Sequence, residues 1–262
     1  MTVFGHEMRR SRWMLLIWST IVGGMILICM LMFPEMQGQM DGVSDLFASM
    51  GGFTEAFGMD RLHFGTVMGF YGIECGNILG IGGAFFAAFI GARMLSKEEA
   101  EHTAEFLLTH PVRRSSVVGE KLAALTTQLL LFHLICVGCS LFSFAIISER
   151  PVWDAFWLFH LAQFLLHVEI ACICFGVSAF VRRGGLGCGL GLAALLYFLN
   201  IFGNISEKAS FVRYITPFAY AEAADILPSV SIDAPLAALG LLYAAAGTAA
   251  AFLWYGKKDI AA

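Results

Sequence analysis

Ser96–Lys121, SKEEAEHTAEFLLTHPVRRSSVVGEK, is a charged island between two long apolar runs, and its reading decides the fold. Ser96 followed three residues later by Glu99 fits a capping box, in which the serine oxygen and the glutamate side chain satisfy backbone N–H groups at a helix start. The spacing predicts a short helix beginning near Lys97. Ala100, Ala104, Leu107 and Leu108 fall on one face, and Lys97, Glu98, Glu101 and Glu105 on the other, so the segment is expected on a surface or in a partner's groove. Pro111 ends it, because a proline ring disfavours helix at the preceding residue, here His110. Ser115 and Ser116 are placed to cap the next helix.

The sequence on both sides is membrane-grade. Of 262 residues, 58% are hydrophobic and 14% charged, with a mean hydropathy of +0.76. The usual soluble balance is roughly 45–50% apolar and about 25% charged. The composition points to an all-α integral membrane protein. A hydrocarbon core about 30 Å thick needs roughly 20 apolar residues per helix. Six runs qualify: Trp13–Phe33, Phe64–Met94, Leu122–Ile147, Trp153–Val181, Leu186–Ile205 and Pro235–Tyr255. They define a single transmembrane domain over residues 1–262.

Orientation follows from the sixteen Lys and Arg residues, since basic residues are retained on the cytoplasmic side. With both termini inside, Arg9, Arg10, Arg12, Arg93, Lys97, Arg113, Arg114, Lys121, Arg182, Arg183, Lys257 and Lys258 are cytoplasmic. Only Arg61, Arg150, Lys208 and Arg213 are outside. The first apolar run ends at Phe33-Pro34-Glu35 without a small-residue cleavage pattern, so it reads as a retained span rather than a signal peptide. No basic patch with interleaved aromatics points to nucleic acid.

Two outer segments are too polar to span. In Pro34–His63, Leu46, Phe47 and Met50, then Phe53, Ala56 and Phe57 before Gly58, predict two short interfacial turns. Ser206–Asp233, broken by Pro217, is expected to form re-entrant or interfacial helices with Tyr214, Phe218 and Tyr220 as aromatic anchors. Gly256 suits a helix C-terminal cap, and Lys257 and Lys258 suit the negative end of the helix dipole. All seven cysteines lie in predicted spans and read as small buried apolar residues.

Ionisable residues within spans are costly and therefore functional candidates. They are Glu74, His133, His160, His167 and Glu169. Glu74 and Asn77 could line a translocation pathway near the outer leaflet. His160 and His167 share a helix face, with His133 on the neighbouring span the one obvious third ligand for a metal, and buried structural histidines are the favoured reading. His167-Val-Glu169 is not HExxH and no GxSxG occurs, so no catalytic constellation is present. Gly185 with Gly189 and Gly187 with Gly191 have GxxxG spacing, which lets helices approach closely. No GxxxxGK[ST] run is present, and the longest inner loop, 96–121, cannot house a nucleotide-hydrolysing domain.

Taken together, these residues resemble the permease subunits of ABC-2 transporters. Glu98-Glu99, Thr103-Ala-Glu105-Phe-Leu-Leu108, Pro111-Val-Arg113-Arg114 and Gly119-Glu-Lys121-Leu are similar to the family's loop of the form EE…GT…ELLL…PVSR…GK. Arg213-Tyr-Ile-Thr-Pro217-Phe resembles its outer L-x-P-F segment, and Tyr255-Gly-Lys-Lys-Asp259-Ile its basic stretch ending in Asp. The chain departs at His102, where Gly is common, and at His110 and Arg114, where small residues or Ser are common.

The resemblance covers the whole chain and implies a type V exporter-like fold. It implies two permeases, identical or related, set in membrane lipid on two soluble ABC ATPase subunits. Those subunits hold ATP and magnesium, and no cofactor is expected in this chain. Loop 96–121 would supply a coupling helix, with Glu98, Glu99, Glu105, Leu108, Pro111, Arg113 and Arg114 contacting the ATPase or bracing the turn. Glu74, Asn77, His167 and Glu169 are the candidates for a translocation pathway. The expected activity is ATP-driven export of a peptide, antibiotic or other amphipathic compound across a bacterial cell membrane. Two other readings stay open: an ion-coupled secondary transporter, and a non-transporting immunity or scaffold protein.

Overall fold

The computed structural model describes residues 2–37, 51–101, 113–181 and 185–258, and all regular structure among them is helical. Six helices are long and apolar enough to cross a membrane. They are α1 (Thr2–Gln37), α3 (Val67–Arg93), α5 (Arg114–Ile146), α6 (Trp153–Phe180), α7 (Gly185–Ile205) and α9 (Ala234–Lys257). Shorter pieces lie between them: α2 (Gly52–Ala56), α4 (Lys97–Ala100), 3-10 turns at Glu207–Tyr214 and Pro217–Tyr220, and α8 (Ala223–Ser229).

Helices α3 and α6 form the centre, each with 67% of its most apolar window buried by protein, against 22% for α9. Direction follows from paired residues: Tyr71 meets His160 and α6 runs parallel to α3, while Phe180 meets Trp254 and α9 runs parallel to α6. A close approach joins α6 and α9, where a Cβ on Gly176 would lie 2.6 Å from the Gly247 carbonyl oxygen. Backbones meet there because neither residue has a side chain, the small-residue packing that holds helices together in lipid. Between α7 and α3, Gly185 and Gly189 face Ala92 and Ala88, while Gly187 and Gly191 meet no other described residue. Among the described residues, one of the two GxxxG pairs is therefore a packing surface.

The lipid side is equally legible. On α1, Leu15, Val22, Ile26 and Met30 are buried, while Trp13, Ile17, Ile21 and Ile28 are exposed. In a bilayer such exposed apolar faces meet acyl chains rather than water.

Helix α1 starts at Thr2 instead of Trp13, because its first turns are packed: Glu7 is 1% exposed. The capping box does not form. Ser96 Oγ donates back to the Ala92 carbonyl at 3.1 Å, and Glu99 is drawn to Lys258 instead of to the Ser96 N–H. The polar face of α4 is turned inward, with Lys97 8% and Glu99 9% exposed. Helix α5 opens from an extended Arg113 with no side-chain cap, so Ser115 and Ser116 lie in its first turn. Gly256 is within α9, which ends at Lys257 with Lys258 as its cap. The segment expected at Leu46, Phe47 and Met50 lies outside the described residues.

The segment before α9 also differs from an interfacial anchor. Tyr214 is exposed, but Phe218 and Tyr220 are buried in the bundle. Thr216 Oγ1 donates to the Leu196 carbonyl in α7 at 2.8 Å, and Gln163 Nε2 of α6 donates to the Ala221 carbonyl at 2.9 Å. These bonds satisfy backbone acceptors below the surface, a requirement for irregular chain at membrane depth. The segment thus folds back into the bundle against α6 and α7, and is re-entrant in that sense.

Candidate functional site

At the end of the bundle that holds both chain termini, four charges are buried together. Helix α1 supplies Glu7, α4 supplies Lys97 and Glu98, and α5 supplies Lys121, which is 0% exposed. Glu7 pairs with Lys97, and through its other oxygen with Lys121 at 3.3 Å. Lys121 also pairs with Glu98 and donates to the Met94 carbonyl at 2.6 Å. Two carboxylates and two ammonium groups cancel, which is the condition for burying charge at all. Burial, together with the nearby Lys121 ammonium, lowers the Lys97 amine below its ordinary range, against the pull of Glu7.

Around this core the helix ends are joined. Glu99 Oε1 lies 2.8 Å from Lys258 Nζ, and Arg114 Nη1 donates to the Lys258 carbonyl at 2.6 Å. Arg10 pairs with Glu101 at the exposed rim. The start of loop 96–121 is therefore tied to α1, α5 and the end of α9. Of the expected coupling residues, Glu98 and Glu99 are held inside this network, Arg114 is half-buried against α9, and Arg113 is exposed. Glu105, Leu108 and Pro111 lie outside the described residues.

Sequence reasoning misses Glu7 and the pairing roles of Lys121 and Lys258. Glu7 sits just ahead of Arg9, Arg10 and Arg12, whose weight as a topology signal overshadows it. One acid before a basic cluster on a helix that leads into a span is the available clue.

The four expected pathway residues do not converge. Glu74 lies in a π-helical stretch of α3, Tyr71–Cys75, and is half-buried. Asn77 Nδ2 donates 2.6 Å to the Ile73 carbonyl inside that widened turn, a feature that often marks functional sites. His167 points toward α5, where His133 gathers His160 and His167, with ring centroids 5.3 and 6.1 Å away. His160 Nε2 lies 2.8 Å from the Tyr71 hydroxyl, which donates to Ser140 Oγ at 2.9 Å. The His167 ring lies against the Leu79 and Gly80 backbone of α3, and the His133 ring against the His160 backbone of α6. Among those residues, no three His, Cys, Asp or Glu side chains are arranged to hold a metal ion.

Glu169 points the other way, toward α9 and the re-entrant segment. It is 1% exposed, and Tyr220 Oη donates to its Oε2 at 3.0 Å. Gly240 of α9 makes room for it: a Cβ there would overlap the carboxylate.

At the opposite end of the bundle from the termini, a cavity of about 530 Å³ opens between α7, the re-entrant segment and α8. On its wall Glu222 Oε1 accepts from Arg61 Nη2 at 3.0 Å and from Asn204 Nδ2 at 2.8 Å, and Arg61 also pairs with Asp225. Burial pushes the Glu222 carboxyl up to about 7, with Asp225 adding to the rise and Arg61 and Asn204 opposing it.

A sequence profile of the ABC-2 family transporter proteins matches residues 1–260. No curated protein and no solved structure matches the chain. With a family match over nearly the whole chain and six helices long enough to span a bilayer, this multi-pass protein belongs to the ABC-2 family and is the membrane permease component of a transporter.

Proposed function

We propose that this permease is the membrane half of an ATP-driven exporter. Two copies, or this chain and a related permease, sit side by side in a bacterial cytoplasmic membrane, with both chain ends in the cytosol above two soluble ABC ATPase subunits. The observation that carries the reading is the buried charge cluster at the root of loop 96–121. A segment docked on an ATPase transmits force only if its root cannot pivot, and this root is tied to α1, α5 and α9 at once.

On this reading Glu105, Leu108, Pro111 and Arg113 present the docking surface, and Glu98, Glu99 and Arg114 brace its base. ATP-driven closure of the partner subunits shifts the population of permease conformations through differential contacts, with no chemistry in this chain. Asn77 and Glu169, which border cavities toward the opposite end, belong to the cargo route. The cargo is an amphipathic compound such as a peptide or antibiotic.

The test is purification of the tagged full-length protein in mild detergent from its own host, with mass spectrometry of what accompanies it. A stoichiometric soluble ATPase is expected, and Glu105→Arg should release it while leaving expression intact. A well-folded preparation that brings no ATPase, with transport that follows an ion gradient instead of ATP, would overturn the proposal in favour of an ion-coupled transporter.

A further inference from the structure

Glu169 and the tyrosines around it form a site with the chemistry of an ammonium receptor. Three observations lead there. The first concerns charge. The Glu169 carboxylate is buried in α6 with the Tyr220 hydroxyl as its hydrogen-bond donor, and no basic side chain among the described residues pairs with it. An ionised carboxylate without a cation is costly at such a position, so the group carries a proton or awaits a positive ligand. This contrasts with Glu7, Glu98 and Glu99, each of which has a lysine.

The second concerns shape. Beside Glu169 lies a small pocket of about 10 Å³, bounded by Tyr214, Tyr220 and Tyr243 and by Leu236, Leu239 and Gly240. That is the room of a single water-sized group, which an ammonium head also fits. Tyrosine faces attract cations, and rings arranged around a carboxylate are a recurrent way to bind alkylammonium groups.

The third concerns access. Tyr220, Thr216 and Arg213 line both this pocket and the cavity of about 530 Å³ that opens at the end of the bundle away from the termini. That cavity carries three carboxylates, Glu222, Asp225 and Asp233, against two guanidinium groups, Arg61 and Arg213. Arg213, the cation that lines the inner pocket, leans outward to Asp233 at 3.5 Å and is about half exposed. With Glu222 protonated up to about pH 7, two aspartates balance two guanidinium groups, so the approach holds no net positive charge that would turn a cation away. The apolar part of a ligand would lie along Leu199, Ile226 and Ile232 on the cavity wall.

We infer that Glu169, framed by Tyr214, Tyr220 and Tyr243, binds the ammonium group of an amphipathic amine that reaches it through the cavity at the opposite end from the chain termini. This sharpens the export reading, on which it rests for the identity of the cargo, by making that cargo a primary-amine-bearing amphiphile. The carboxylate, with the Tyr220 hydroxyl on it and two further tyrosines lining the pocket, selects such an occupant. A purely apolar ligand would leave the carboxylate unanswered, and an anionic one would be repelled by it.

The experiment measures binding of radiolabelled n-hexylammonium to the full-length protein in nanodiscs, with unlabelled hexylammonium and n-hexanol as competitors. Saturable binding is expected, displaced by the amine and not by the alcohol. Glu169→Gln should weaken it about thirtyfold or more, as loss of one partner of a buried charge pair does. Glu169→Asp, which keeps the charge, should recover part of the affinity, and Tyr220→Phe should retain binding because the ring stays. Absence of saturable binding, equal displacement by hexanol, or unchanged affinity in a folded Glu169→Gln protein would each overturn the assignment. If Glu169→Gln does not fold, the contrast between amine and alcohol on the unaltered protein decides alone. No ATPase takes part in this assay, so its failure leaves the exporter reading standing. Failure of the ATPase to co-purify, in turn, leaves the binding result standing.

Discussion

Two regions of the bundle handle buried charge in opposite ways. Around Glu7, Lys97, Glu98 and Lys121 every charge has an opposite within pairing reach, and the helix ends are locked to one another. Deeper in the bundle, Glu169 has a phenol and no cation among the described residues, and His133 and His167 meet ring to ring at 6.1 Å. The first arrangement resists movement, because pulling any helix away strands a charge in a low-dielectric interior. The second leaves polar capacity unspent, which is what a ligand or a moving helix needs. A machine that transmits force at one end and handles cargo elsewhere would divide its chemistry in this way.

The largest expected effect breaks the locked end. Lys121→Met removes the ammonium that serves both Glu7 and Glu98, and it should lower stability by about 3–5 kcal/mol, read as the unfolding midpoint in nanodiscs. Adding Glu98→Gln to that variant should restore part of the loss, since one of the two carboxylates that Lys121 serves is then neutral. If Lys121→Met is tolerated with less than about 1 kcal/mol, the cluster is not a lock, and the contrast with Glu169 collapses.

Next in size is a pH effect at the far end. The Glu222 carboxyl holds its proton up to about pH 7 when folded, against 4.5 when unfolded. Protonation therefore favours the folded state. The contribution is fully present below pH 4.5 and is lost as pH rises through 7, by about 3 kcal/mol over that interval. Glu222→Gln should flatten this slope, measured as thermal midpoint against pH from 4 to 8. The groups facing Glu222, which are Arg61, Asp225 and Asn204, remain in that variant, so a slope that persists would trace to one of them instead.

Much of this division is legible in the sequence. Helix number and placement follow from apolar runs, because in lipid every spanning segment must be long, apolar and internally hydrogen-bonded. The loop motif around Glu98, Glu99 and Lys121 marks the locked end as a place of interest. What it does not show is that Glu7, some ninety positions earlier than Lys97, closes the cluster, because pairing across helices depends on which faces meet. The Ser96 and Glu99 capping box fails for the same reason: Lys258 is a stronger partner for Glu99 than a backbone N–H, and only the fold brings it near. The spacing of His160 and His167 puts them on one face, and they do meet His133. Tyr220 reads as a surface anchor in the sequence because its re-entrant depth is set by tertiary bonds at Thr216 and Gln163, which leave no periodic trace.

A smaller change probes the unspent region. Tyr220→Phe removes the donor to Glu169 while keeping the ring, and should cost about 1 kcal/mol, the net worth of one hydrogen bond. A much larger loss in the thermal midpoint would mean that Glu169 is ionised and leans on the phenol, which would make this region no freer to move than the locked end.

The smallest effect separates the core of the lock from its rim. Arg10 and Glu101 pair across the same helices as Glu7 and Lys97, and Arg10 holds the Glu101 carboxyl below its ordinary range, yet both side chains are more than a third exposed. Water screens such a pair, and ordering two long side chains costs entropy, so Arg10→Ala should change stability by less than about 1 kcal/mol. Any residual effect should fade between roughly 0.05 and 0.5 M salt, as the screening length shortens to a few ångströms. A loss comparable to Lys121→Met would relocate the pivot of the loop from the buried charges to the surface, where a docking partner could reach and disrupt it.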